Sequence, residues 1–219
     1  MATQRIDALF LGHKIKQADI ANLSSVEFES LLQKFSPRTF STIKIKFDSE
    51  VDINKFWSFV AELRFGSLLP MLDPNLEFLC PQKATPTADI RATICGVEVE
   101  FEVSRLVPES EVYVSKGINA IVNIFVDKVR YELAQLSSPS SIIVVAPERA
   151  WSVEKIYRYI LRDLRGMLTN SPSFASLPCM IIHLQYQNAN PIGWILTNPN
   201  AKQGLPNSVI SPLVSVGFK

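Results

Sequence analysis

The segment from Asp89 to Arg105 constrains the fold of this 219-residue chain more than any other stretch. It has two apolar-rich halves on either side of a Cys95-Gly96 pair, an arrangement typical of a hairpin. In the second half apolar and polar residues alternate, which predicts a strand with one apolar face and one polar face. The polar face carries Glu98, Glu100, Glu102 and Ser104. Three like charges in a row repel each other unless water or a cation lies against them, so this strand and Asp89 together predict a metal-dependent site.

The composition describes a chain that can bury a substantial core and that lacks a strongly charged tail. Of its residues 47% are hydrophobic and 10% are aromatic, and the formal net charge is +1. This near-neutral balance excludes a highly basic nucleic-acid-binding tail, although a local basic groove remains compatible with it. The three cysteines lie far apart and there are only two histidines, which argues against a structural zinc site. Unpaired, scattered cysteines are typical of a reducing compartment.

The apolar runs of the sequence are too short to predict a membrane segment. The run near the N-terminus does not have the length of a signal peptide, and the later runs have the length of strands. We therefore expect a soluble, cytoplasmic protein with no membrane partner.

The chain is expected to form one α/β domain over residues 51–219, with residues 1–50 as an N-terminal extension packed on its core. In the extension, Ser24 followed by Glu27 predicts the cap of a short amphipathic helix that ends before Pro37. The alternating segment Thr42–Asp48 predicts a strand with one wet face. The chain beyond residue 198 is rich in Asn, Pro, Gly and Ser and predicts an irregular tail.

Between these ends the sequence alternates between helical and strand periods. Apolar positions at three- and four-residue steps predict helices after Asp52, over residues 116–136 and over residues 152–168. Strands are predicted at residues 76–80, 88–95, 97–104, 142–146, 179–184 and 193–197. Meandering strands followed by helix-separated strands predict an α/β fold with a mixed central sheet flanked by helices.

In its order of elements and in its acidic residues, the chain resembles the PD-(D/E)XK nuclease superfamily, which has the restriction-endonuclease-like fold. The core of that fold is a helix, a three-strand meander, a helix, a strand, and usually a further helix and strand. The resemblance covers about residues 52–185. Members carry an acid in the first helix, an acid at the start of the second strand and Glu-x-Lys on the third strand, and these acids fall on Glu62, Asp89 and Glu102.

The resemblance implies a Mg²⁺-dependent nuclease that hydrolyses phosphodiester bonds of DNA. Asp89 and Glu102 would bind the ion, and Glu62 would hold a second ion or a ligating water. Carboxylate oxygens are the ligands that hard cations favour. Bound Mg²⁺ neutralises charge on the phosphate and lowers the pKa of an attacking water.

The chain departs from the family pattern at Ser104, which stands where the motif lysine is expected. A serine hydroxyl carries no positive charge and cannot stabilise a charged transition state as a lysine does. In one alternative the cation comes from elsewhere, and the candidates are Lys83, Arg91, Lys128 and Arg130. In the other, the fold has lost catalysis and serves as a nucleic-acid or protein binding module.

The candidate catalytic set therefore comprises the three acids, Ser104 and Lys128, with DNA as the expected partner. Glu98 and Glu100 are interpreted as solvated neighbours of the ligand Glu102. A homodimer is a further expectation, and a homo-oligomeric structural protein is a third functional alternative.

Overall fold

A computed structural model describes residues 5–15, 24–49, 52–80, 87–106, 118–133, 136, 138–147, 154–184 and 192–219. In this part of the chain the α-helices are α1 (Arg5–Phe10), α2 (Ser25–Gln33), α3 (Pro37–Ser49), α4 (Ile53–Gly66), α5 (Ile118–Leu133), α6 (Glu154–Asn170) and α7 (Asn207–Ser215). The strands are β1 (Glu77–Phe78), β2 (Ile90–Ile94), β3 (Val97–Leu106), β4 (Ser141–Pro147), β5 (Cys179–His183) and β6 (Gly193–Thr197).

The six strands form one mixed sheet in the order β1-β2-β3-β4-β5-β6. Strands β1, β2 and β3 form an antiparallel meander, β3, β4 and β5 run parallel, and β6 returns antiparallel to β5. This confirms the predicted α/β class with a mixed central sheet. The predicted hairpin is also confirmed, and its turn has positive φ at Cys95 (49°) and Gly96 (80°), as a two-residue hairpin connection requires.

The sheet separates two apolar cores. On one face, apolar side chains of α1 to α4 and α7 form one core with Val99, Phe101 and Val103 of β3, and α4 is the helix that packs on β3. On the other face, α5 and α6 pack against Ile143 and Val145 of β4. Strand β4 is buried along its whole length, as its continuous apolar sequence predicts.

The helices of the first 50 residues share the apolar core of α4. The carboxylate of Glu29 in α2 accepts hydrogen bonds from the backbone N–H groups of Arg5 (3.1 Å) and Ile6 (2.7 Å), which caps the first turn of α1. Aromatic rings of α1, α3 and α4 then meet, with Phe47 centred 5.1 Å from Phe10 and 5.9 Å from Phe56. These contacts fix α3 against α4.

The predicted strand Thr42–Asp48 is wrong, because this segment lies inside helix α3. Its sequence alternates, but Ile43, Lys46 and Phe47 also follow the i, i+3, i+4 spacing of a helical stripe, and these three are the buried ones. The helix begins at Pro37, a residue favoured in a first turn, and the Ser36 hydroxyl accepts a hydrogen bond from the Thr39 N–H at 3.2 Å.

The irregular C-terminal tail is also a wrong prediction over its last part, because Asn207–Ser215 forms α7. Val209 and Leu213, one helical turn apart, are fully buried in the core. The helix contains Pro212, and this residue together with the neighbouring Asn and Ser hid its period in the sequence. After α7, Phe218 bridges to Gly193 beside β6, so the chain end packs against the sheet edge.

We predict that Gly193→Ala destabilises the protein strongly. An added Cβ at Gly193 would lie 1.9 Å from the carbonyl oxygen of Ile182, a backbone atom that no side-chain rotation can move. The expected loss in free energy of unfolding, measured by urea titration, exceeds about 2 kcal/mol.

Gly166 in α6 provides the matched control, because an added Cβ there meets nothing within 4 Å. Gly166→Ala should leave stability unchanged or raise it by about 0.5–1 kcal/mol. Equal effects at the two glycines would contradict the described packing of β5 against β6.

Candidate active site

The three acids predicted as metal ligands come from three different elements of the fold. Glu62 lies in the last part of α4, Asp89 directly precedes β2, and Glu102 lies in the middle of β3. The carboxylates interact electrostatically, since Asp89 and Glu62 both raise the pKa of Glu102. The fold therefore brings together residues that the sequence places far apart.

A buried lysine stands between two of these acids. The Nζ atom of Lys46 on α3 is 2.6 Å from Oε2 of Glu62 and 2.8 Å from Oδ1 of Asp89, and the lysine side chain is 2% exposed. Burial alone would lower the pKa of Lys46, but the two carboxylates raise it above its ordinary value, so the ammonium stays charged. Sequence reasoning missed Lys46 because its segment was interpreted as a strand with lysines on a wet face.

Asp89 connects this ion set to the strand that carries Glu102. Strand β2 begins only at Ile90, which pairs with Phe101, so among the described residues no strand pairs with β3 on this side beyond Phe101. The second carboxylate oxygen of Asp89, Oδ2, accepts a hydrogen bond from the Val103 N–H at 2.9 Å. One carboxylate thus satisfies a backbone donor of β3 and a buried ammonium together.

The buried carboxyl group of Glu102 is the third acid of the cluster. Its side chain is almost fully enclosed, and Oε2 has no hydrogen-bond partner among the described residues. Burial, followed by the charges of Asp89, Glu132 and Glu62, raises the pKa of Glu102 to about 9 against the opposing effect of Lys46. The carboxyl group of Glu102 therefore holds a proton at neutral pH in the metal-free protein.

The pKa of Glu62 is also raised. Its side chain is buried, and burial together with the Asp89 charge raises its pKa well above the ordinary value, although Lys46 opposes the shift. The cluster thus combines the Lys46 ammonium, which stays charged, with two acids, Glu62 and Glu102, whose charged forms are destabilised by burial.

A second set of polar residues continues from β3 to α5. The Ser104 hydroxyl donates a hydrogen bond to Oε1 of Glu132 at 2.6 Å, and Nζ of Lys128 lies 2.8 Å from the same oxygen. Ser104 and Glu132 are both buried. Sequence reasoning included Ser104 and Lys128 but not Glu132, whose position one helical turn after Lys128 was the available signal.

The other candidate cations lie away from Glu102 or outside the described residues. Arg91 contacts Glu100 at 3.0 Å and Glu98 at 3.5 Å, across the hairpin. Arg130 contacts Asp127 on the surface of α5, and Lys83 lies outside the described residues.

The expectation that Glu98 and Glu100 are both solvated is half wrong. Glu98 is exposed, but Glu100 is buried. The reason is the register of the hairpin, which places Arg91 directly opposite Glu100 and supplies a guanidinium for its carboxylate.

The residues of the cluster suit a hard cation by their chemistry. Glu62, Asp89 and Glu102 offer only oxygen donors, and the buried Oε2 of Glu102 lacks a partner within the described part of the chain. In the described ranges, however, no three Asp, Glu, His or Cys side chains are already arranged as a metal-coordinating group. The Lys46 ammonium contacts Glu62 and Asp89 directly.

Comparisons with known proteins add no support for the nuclease resemblance, which depends on these acidic residues and on the order of the elements. No protein-family model, no curated protein and no solved structure matches the chain. Within the described ranges, none of the helices combines the length and the apolarity that crossing a bilayer would need.

We predict that Lys46→Met destabilises the protein by about 3–5 kcal/mol at pH 7, the usual consequence of removing one member of a buried ion pair. Methionine keeps the apolar stem but leaves Glu62 and Asp89 facing each other without a cation. Urea unfolding measures the loss. Lys44→Met is the matched control, because Lys44 is an exposed lysine on the same helix that pairs with Asp48, and it should change stability by less than about 0.5 kcal/mol.

We also predict that Glu102→Gln stabilises the metal-free protein increasingly as the pH rises. The folded protein keeps a proton on Glu102 up to about pH 9, whereas the unfolded chain releases it near the ordinary pKa of 4.5. Ionisation therefore lowers the free energy of unfolding of the natural protein between these two pH values, and glutamine removes that loss.

Thermal melts in EDTA at pH 5 and pH 8.5 measure this difference. The advantage of Glu102→Gln should be larger at pH 8.5, whereas the exposed control Glu98→Gln should show no such trend. Identical pH dependence for Glu102→Gln and the natural protein would show that Glu102 ionises normally.

Proposed function

We propose that this protein is a Mg²⁺-dependent nuclease of restriction-endonuclease-like architecture that hydrolyses phosphodiester bonds of DNA. The observation that carries the proposal is the contact of Lys46 with both Glu62 and Asp89. The charges of these two acids also act on the buried side chain of Glu102. These are the three acids that the superfamily resemblance assigns to metal binding, and they come from the three elements that it names.

The order of the elements supports the same proposal. Helix α4, the meander β1 to β3, helix α5, strand β4, helix α6 and strand β5 follow each other as the core of that fold requires. Asp89 directly precedes β2, and Glu102 follows the last residue of β3 that pairs with β2. These positions match those that the resemblance assigns to the acids of the second and third strands.

In this proposal Asp89 and Glu102 hold the cation, with Glu62 holding a ligating water or a second ion. Bound Mg²⁺ supplies charge neutralisation at the phosphate and a more acidic water. The residues of the chain set the conditions for binding. Glu102 must lose the proton that it holds at neutral pH, so binding of the ion releases a proton and strengthens as the pH rises.

Lys46 supplies the positive charge that is missing at Ser104, but from helix α3. Its ammonium is 2% exposed and contacts Glu62 and Asp89, so it acts by neutralising and orienting these acids. It is a positioning residue, since its contacts are internal carboxylates.

The second candidate function is a catalytically inactive member of the same fold that binds nucleic acid or a protein partner. The same Lys46 contact favours this alternative, because an internal ammonium already neutralises Glu62 and Asp89. The two functions differ in whether a divalent cation can bind in competition with Lys46.

Cleavage of labelled single- and double-stranded DNA with Mg²⁺, Mn²⁺ or EDTA tests the proposal. We expect metal-dependent cleavage by the natural protein and a loss of at least about 100-fold for Asp89→Asn, which removes a charged ligand but retains an oxygen for the Val103 N–H. The control Glu98→Gln removes an exposed carboxylate from β3 and should cleave normally.

Calorimetric titration with Mn²⁺ supplies a readout that does not depend on cleavage. We expect binding to the natural protein and its loss in Asp89→Asn. Absence of both cleavage and metal binding would exclude the nuclease, and retention of labelled DNA under those conditions would support the binding module.

A further inference from the structure

A set of polar contacts joins Ser104 of β3, two residues after Glu102, to Lys128 on α5. Ser104 lies two residues after Glu102, on the same face of β3. Its hydroxyl donates to Glu132 at 2.6 Å, and Glu132 contacts the Lys128 ammonium at 2.8 Å. The Glu132 charge also raises the pKa of Glu102, so the two carboxylates are electrostatic neighbours.

The exposed fraction of the side chain is largest at the Lys128 end of this set of contacts. The residues Ser104 and Glu132 are 4% and 3% exposed, whereas the side chain of Lys128 is 31% exposed. Lys46, the other lysine of the cluster, is 2% exposed. Of the two lysines, Lys128 is therefore the one that an external anion can contact.

We propose that Lys128 contacts a backbone phosphate of DNA bound beside the acid cluster, and that Glu132 is the positioning residue that fixes its ammonium there. This proposal rests on the proposed function, since it takes the bound polymer to be DNA. It assigns the two lysines different roles. Lys46 orients the acids from within, and Lys128 presents positive charge to the substrate.

The contacts of Lys128 suit this role. A lysine side chain is flexible and loses conformational entropy when it is held in one position. Here Glu132 holds the ammonium, and the ring of Tyr131 lies 5.5 Å from it, so much of that entropy is lost before any ligand arrives. An ammonium has three N–H donors, and the contact with Glu132 uses one.

A simpler role for Lys128 would be to neutralise Glu132 and nothing more. Ion pairs four residues apart on a helix are common and weak when they are exposed. This pair differs because Glu132 is buried and also accepts the Ser104 hydroxyl, which fixes the carboxylate on the acid-bearing face of β3. The two roles make different predictions for DNA binding.

The test is DNA binding measured by fluorescence anisotropy in EDTA over a series of salt concentrations. Loss of one phosphate contact reduces the slope of log affinity against log salt by about 1. We expect this reduction and weaker binding for Lys128→Met, and a normal slope for Lys128→Arg, which keeps the charge and confirms that the helix is intact.

Arg130→Met is the matched control, because Arg130 is also a cation of α5 but is 55% exposed and contacts Asp127. It should leave the slope unchanged. Equal changes for Lys128→Met and Arg130→Met, or no DNA binding by the natural protein, would overturn the proposal.

Glu132→Gln tests the positioning role through a double-mutant cycle. We expect Glu132→Gln to weaken DNA binding in the natural background but to have no further effect when Lys128 is already methionine. Additive effects would show that Glu132 does not act through Lys128. The binding assay in EDTA does not depend on cleavage, so it separates the two proposals. DNA binding through Lys128, with neither cleavage nor metal binding in the separate Mn²⁺ assays, would exclude the nuclease and retain this contact. Cleavage of DNA by the natural protein, together with normal DNA binding by Lys128→Met, would support the nuclease and exclude the contact between Lys128 and the phosphate.

Discussion

The ion set formed by Lys46, Glu62 and Asp89 is the interaction on which the candidate site depends. Each of its charges comes from a different part of the fold, namely α3, α4 and the residue before β2, so their contacts of 2.6 and 2.8 Å fix these parts relative to one another. Buried charges are costly unless they are paired, and here the lysine supplies the only charge of its sign that contacts these two acids among the described residues. Any rearrangement of α3 therefore changes the electrostatics of the acids directly.

The three glutamates of β3 lie in different environments in the protein. Glu98 is exposed to solvent, Glu100 is buried but faces Arg91 of β2, and Glu102 is buried beside other acids and is protonated at neutral pH. The three residues have the same chemistry in the sequence, and their environments make them different. Glu102 combines a raised pKa with an oxygen that lacks a hydrogen-bond partner among the described residues, and raised pKa values are common at functional sites.

The parts of the fold that sequence reasoning predicted are those with a single local period. The hairpin, strand β4 and helix α5 each match one pattern, whereas Thr42–Asp48 matches both an alternating and a helical pattern, and only packing against α4 decides between them. The acids could be located because the superfamily resemblance supplied their spacing. Lys46 could not, because its partner Asp89 is 43 residues away and a lysine in a short segment carries no local sign of burial.

The pattern that the chain resembles has a lysine on β3 at the position where this chain has Ser104. In the proposed nuclease, two lysines from helices on opposite faces of the sheet would share the role of that lysine. Here Lys46 reaches the acids from α3, while Ser104 connects β3 through Glu132 to Lys128 on α5. A buried lysine with a raised pKa does not titrate near neutral pH, so it is a fixed charge. The charge state of the cluster near neutral and mildly alkaline pH is then governed by its acids, with Glu102 ionising at about pH 9. In the proposed nuclease, this arrangement would couple cation binding at Glu102 to the loss of its proton.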